Sequence, residues 1–174
     1  KDGTAGEWLQ MADDNILKAV SAKLFPQTMV FSLMALIYLV LIYGYLQFPA
    51  HNGFWPMFLA AELLILASQG FAVFIASPIP SLRWSLSLCT LWGVLSIPIS
   101  GFSFPVMGMP AALQAMSYLF PLRYYFLIYV DQALNGIPMV YSAWFYTALV
   151  AFLILPLVDI SLLRKAAHEY TYLP

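Results

Sequence analysis

Few side chains in this sequence could do chemistry, and those few stand far apart. Glu62 and Gln69 lie seven residues apart in an apolar run, so a helix would carry them on one face. Arg123 and Asp131 lie two helical turns apart in a second apolar stretch. An ionisable group inside hydrocarbon is costly and marks a functional position by default. Glu62, Gln69, Arg123 and Asp131 are therefore candidates for lining a polar path, with Arg123 also able to pair with Glu62. The plainer alternatives are a Glu62 that reaches water near the headgroups and a solvated rim for Arg123 and Asp131.

Other chemistries lack their parts. His51 and His168 are far apart and have no neighbours of metal-ligand type, so no metal is expected. Cys89 is the only cysteine, which excludes an internal disulfide. No Ser/His/Asp constellation appears for nucleophilic catalysis. No GxxxxGK[ST] phosphate loop occurs, so the chain is not expected to bind or hydrolyse ATP. No long basic run offers a footprint for nucleic acid.

The elements that must position these residues are membrane helices. Of 174 residues, 63% are hydrophobic and only 9% charged. A soluble domain carries about 25% charged residues. The expected fold is all-α, one transmembrane domain over 1–174 with four spanning helices. The spans are Met29–Phe48, Trp55–Ile75, Trp84–Ile99 and Met139–Leu162. Aromatic clusters at Tyr43–Trp55 and at Tyr141, Trp144 and Tyr146 suit the membrane interface. Residues 1–24 hold seven of the fifteen charges and read as an amphipathic elbow lying along the membrane. A break is expected near Asp13, with a second helix capped by the Asp13-Asp14-Asn15 cluster and running towards Pro26. The start lacks the pattern of a signal peptide, and a piece of a longer protein is the expectation.

Between the third and last spans, residues 100–136 are apolar yet broken by Gly101, Pro105, Gly108, Pro110 and Pro121. Basic residues collect on the cytoplasmic side of membranes. With 1–24 inside, six of seven basic residues are cytoplasmic only if 100–136 does not cross. The stretch is thus expected to be re-entrant or to lie at the outer surface. Ala111–Leu119 would form one short helix, and a second would start at Pro121 and stop at Asn135-Gly136.

The order SGFSFP (100–105), MP (109–110), LQ (113–114), SYLFPLRYY (117–125) and LNG (134–136) resembles the ABC type-2 permease family. Gly6-Glu7-Trp8-Leu9 and Ala22-Lys23-Leu24-Phe25-Pro26 are similar to that family's cytoplasmic elbow. The resemblance covers nearly the whole chain and corresponds to the second half of a permease. It implies the membrane subunit of an ATP-driven exporter in a bacterial inner membrane, with 100–136 as an outer helical hairpin. It also implies a separate ATPase subunit that binds the ATP, a second permease subunit and, for some members, a periplasmic adaptor. Glu7, Trp8, Asp13, Asp14 and Lys18 of the elbow would couple to the ATPase. Drugs, lipids and other amphiphiles are the substrate classes implied. The competing reading is a membrane scaffold that transports nothing and binds a protein through the hairpin.

Overall fold

The computed structural model describes residues 11–13, 15–79, 81–159 and 161, and every regular element among them is helical. The helices are α1 (Ile16–Leu39), α2 (Phe54–Ala76), α3 (Leu82–Ile99), α4 (Ala111–Ser117), α5 (Pro121–Ile128) and α6 (Ala143–Ile154). α1 and α5 each widen at the end into a π turn, Val40–Tyr45 and Tyr129–Leu134.

Asp13 has a φ of 55°, which breaks the chain where a break was expected. Asn15 then caps α1, accepting from the amides of Leu17 at 3.1 Å and Lys18 at 3.4 Å. The boundary expected at Pro26 is absent, because α1 continues through Pro26. Proline there gives up its own hydrogen bond and its ring crowds the Ala22 carbonyl, at a cost of about 3 kcal/mol. An uncharged run in hydrocarbon favours keeping every other backbone group bonded within the helix. The elbow's second helix is therefore the first part of a long α1.

Ile16–Tyr45, of 30 residues, and α2, of 23, are long and apolar enough to cross a membrane. α3 has 18 residues. The last apolar helix is shorter than its expected bounds. It begins at Ala143 after a turn and tightens to a 3-10 turn at Leu155–Leu157, where Pro156 removes a donor.

Contacts fix the direction of each helix. α1 runs antiparallel to α2, with Thr28 against Gln69 and Ser32 against Glu62. α3 returns along α2, its Trp92 ring 5.4 Å from Phe71. α6 runs parallel to α2, with Tyr146 beside Pro56 at one end and Phe152 beside Gly70 further along. Gly70 is required at that crossing, since a Cβ there would sit 2.9 Å from the Phe152 carbonyl oxygen.

The broken stretch folds as a hairpin of two helices, α4 and α5. Phe120, at its tip, stacks 4.8 Å from Trp92. Trp92 lies seven residues before the end of α3, about 10 Å of helical rise. α5 then climbs beside α3, bringing Phe126 to 5.4 Å from Phe102. Its π turn ends against the loop between α1 and α2, where the Ala133 carbonyl accepts from the His51 amide at 3.3 Å. Residues 100–136 therefore leave and rejoin the bundle at one end.

Two buried clusters hold the bundle. Ala60, Ala67, Ile128, Tyr146 and Leu149 join α2, α5 and α6, and Leu39, Met57, Ala61 and Ala133 join α1, α2 and the π turn. Small residues on α2 let its neighbours approach closely, as helices in lipid require. The outer faces are apolar, with Leu33, Met34, Ile37, Val94 and Ile97 all exposed.

Candidate functional site

The seam between α1 and α2 carries two polar rungs. Ser32 Oγ donates to Glu62 Oε2 at 2.7 Å, and Thr28 Oγ1 donates to Gln69 Oε1 at 2.8 Å. Each rung leaves an atom unused: Glu62 Oε1 and Gln69 Nε2 are buried without a partner. Glu62 and Gln69 thus share a face, as their spacing required, and both address α1. The hydroxyl partners went unnoticed in the sequence. Thr28 and Ser32 stand four residues apart, so they fall on one face of α1, and that spacing was the available signal.

Arg123 does not pair with Glu62. It lies in the first turn of α5, near the hairpin tip, and is only 9% exposed. Its guanidinium carbon sits 4.7 Å from the centre of the Tyr118 ring, a cation–π contact, and its Nε is buried without a partner. The pairing fails because Glu62 is turned to Ser32 on the α1 side of α2.

Asp131 is also separate from Arg123. Eight residues of helix set them about 12 Å apart along the axis. Asp131 instead accepts from the fully buried hydroxyl of Ser142 at 3.2 Å, which ties the π turn to the start of α6. The four path candidates therefore occupy three places: the α1–α2 seam, the hairpin tip and the turn before α6.

Of the elbow candidates, Asp13 and Lys18 form an exposed ion pair at 3.0 Å. Glu7, Trp8 and Asp14 lie outside the described residues.

Further polar contacts emerge only in three dimensions. Tyr146, expected as an interfacial anchor, is 7% exposed and donates to Gln132 Oε1 at 3.0 Å, with the Pro56 carbonyl 3.2 Å away. Burial of its ring between α2 and α5 explains the difference, since a buried phenol needs a polar partner. His51 Nδ1 lies 2.9 Å from the Ala133 carbonyl, and Asn52 Nδ2 donates to the Ile137 carbonyl. The loop before α2 thus latches the end of the hairpin.

A bundle with apolar outer faces and hydrogen-bonded polar groups between its helices is built to sit in a membrane. Residues 17–134 match the family described as ABC-2 type transporter, which is more than half of the chain. No curated protein and no solved structure matches it. In that family the matched domain is the permease component, which normally works with an ABC ATPase subunit. The chain belongs to the ABC-2 type transporter family and has the role of its membrane-embedded permease.

Proposed function

We propose that the chain is the transmembrane subunit of an ATP-driven exporter, crossing a bacterial inner membrane four times through α1, α2, α3 and α6. The observation that carries this reading is the return of residues 100–136 to the end of the bundle from which they depart. It rests on Trp92 beside Phe120 at the tip and His51 beside Ala133 at the base. With that return, the start of α1 and the end of α6 share one side, and the basic residues Lys18, Lys23 and Arg83 fall on it. That side is cytoplasmic by the distribution of positive charge. The hairpin then dips into the outer leaflet, where irregular backbone survives only against protein.

On this reading a separate ATPase subunit binds the ATP and presses on the start of α1 and the residues before it, including Asp13 and Lys18. A helix unbroken from Ile16 to Leu39 suits such a push, because it would carry movement at its cytoplasmic end to the Ser32–Glu62 rung. A second permease unit would complete the path, and an adaptor could extend it outward. The test is copurification of an ATPase whose turnover depends on this chain in reconstituted membranes. Turnover raised several-fold by the permease is expected, and an ATPase indifferent to it overturns the reading.

A further inference from the structure

Around the Thr28–Gln69 rung a crevice opens between the first half of α1, the second half of α2 and the end of α6. Its volume is about 340 Å³, within the range of small-molecule sites. The α1 wall runs from Leu17 to Thr28, about 16 Å of helical rise. Gly70 and Leu153 stand on the opposite side. There α2 and α6 meet backbone to backbone, since a Cβ on Gly70 would lie 3.0 Å from the Leu153 Cα. The α2–α6 wall is therefore closed, and the bond from Thr28 to Gln69 joins α1 to it at this depth.

The lining is selective by charge. Among the described residues that line the crevice none is charged, and the polar ones are Ser21, Thr28 and Gln69. An ion in such a wall would lose its hydration and gain no counter-charge. A hydrogen-bonding group, in contrast, has a place to go. Ser21 is satisfied, donating to the Lys18 carbonyl at 3.0 Å. Gln69 is not, for its Nε2 is buried without a partner. Thr28 Oγ1 stands 3.0 Å from the Leu24 carbonyl and 2.8 Å from Gln69 Oε1, and its single proton serves one acceptor at a time. Turning the amide about its last bond would let Nε2 donate to Thr28 and leave Oε1 open instead. In both arrangements one polar atom of Gln69 is unmet. A ligand group that both donates and accepts, an amide or a hydroxyl, suits either one.

We propose that this crevice binds an uncharged amphiphile, its apolar body against Val20, Leu24, Leu66 and Leu153 and its amide or hydroxyl on Gln69 and Thr28. The inference deepens the transport reading by naming a substrate class. It rests on that reading only for calling the ligand a substrate and this end of the bundle cytoplasmic.

The test measures binding alone, so its failure is separate from a failure of ATPase coupling. The permease is purified with its partner subunits and placed in phosphatidylcholine nanodiscs. Dodecanamide carrying a diazirine in its chain is the probe, and its attachment sites after illumination are mapped by peptide mass spectrometry. Attachment should be saturable and should fall on 17–28 and 153–157. Unmodified dodecanamide should displace the probe at roughly one tenth the concentration needed of dodecanesulfonate or dodecyltrimethylammonium, since either ion must be desolvated. Gln69→Leu keeps an apolar wall and leaves Thr28 its bond to the Leu24 carbonyl, so it should weaken the amide several-fold. Ser21 is exposed at the edge of the crevice, and Ser21→Phe should fill part of the space and weaken the probe as well. If Gln69→Leu does not purify intact, Ser21→Phe carries the test alone. Attachment spread evenly over the outer helix faces would mean a lipid annulus in place of a site and overturns the proposal. So does equal displacement by either ion, or wild-type binding in the variants.

Discussion

Ser32 Oγ and Glu62 Oε2 stand 2.7 Å apart across the α1–α2 seam, and the second carboxylate oxygen is buried with no partner. Removing the hydroxyl would leave both oxygens unbonded, and an unsatisfied buried group costs about 1–3 kcal/mol. Ser32→Ala should therefore lower the thermal midpoint of the purified permease. Glu62→Gln keeps an acceptor for Ser32 and should melt close to wild type. If Glu62 lines the path, that same variant changes transport while stability is kept. Unchanged transport in reconstituted vesicles would assign Glu62 to the helix seam alone.

That rung also separates what was legible in the sequence from what was not. The uncharged run from Leu24 to Ala61 announced membrane helices, and the Gly and Pro residues of 100–136 announced two short helices, α4 and α5. Both are local signals of length and backbone chemistry. Glu62 and Gln69 stood out as polar residues in an apolar run, because burial of a polar residue is written in its neighbours. Their partners were not, since the hydrogen bonds to Thr28 and Ser32 join residues 41 and 30 positions apart. Pro26 misled for a related reason. Its local preference for ending a helix yields to the demand that hydrocarbon places on every backbone group. Tyr146 read as interfacial from its neighbours Tyr141 and Trp144, and only the helix crossing decides that it faces inward.

The latch at the hairpin base should be separable from the bundle. Gly136 has a φ of +66°, and a Cβ on it would meet the His51 Cβ at 3.1 Å. Gly136→Ala adds a left-handed alanine, about 1–2 kcal/mol of backbone strain, and crowds the histidine. Hydrogen exchange at the amides of Asn135 and Ile137 should rise in this variant. Asn52→Ala, which removes only the bond to the Ile137 carbonyl, should raise it less. Equal protection in all three proteins would mean that the loop does not hold the hairpin.

Gly70 tests the α2–α6 crossing. Its missing side chain leaves room for the backbone of Phe152 and Leu153, three atoms of which would lie within 3.0 Å of a Cβ. Backbone cannot rotate aside as a side chain can, so the helices must separate. Overpacking of this kind costs about 1–3 kcal/mol. Gly70→Ala should lower the thermal midpoint clearly, whereas Gly93→Ala, with open space around its Cβ, should not. A Gly70→Ala protein as stable as wild type would contradict the close approach.

Asp13 is suited to probing the coupling to an ATPase without disturbing the fold. Its pair with Lys18 spans 3.0 Å, but the side chains are 84% and 63% exposed. Surface pairs of this kind contribute about 0–1 kcal/mol. Asp13→Asn, whose side chain tolerates the left-handed φ of 55° at this position, should leave melting unchanged and reduce the permease-dependent part of ATP turnover. Asp14→Lys, outside the described residues, should act in the same direction. Unchanged turnover in both variants would remove this segment from the coupling surface.

The buried pair of Tyr146 and Gln132 allows a sharper test than either residue alone. The hydroxyl donates to Gln132 Oε1 at 3.0 Å, and Gln132 is fully buried with its Nε2 unpartnered. Tyr146→Phe strips the amide of that hydrogen bond and should cost about 1–3 kcal/mol. Gln132→Leu leaves the hydroxyl with the Pro56 carbonyl at 3.2 Å, so it should cost less. Replacing both partners removes the polar groups together, and such exchanges can be nearly neutral. The double variant should therefore be more stable than Tyr146→Phe alone. Strict additivity of the two single losses in denaturant or thermal unfolding would show that the two side chains are not coupled.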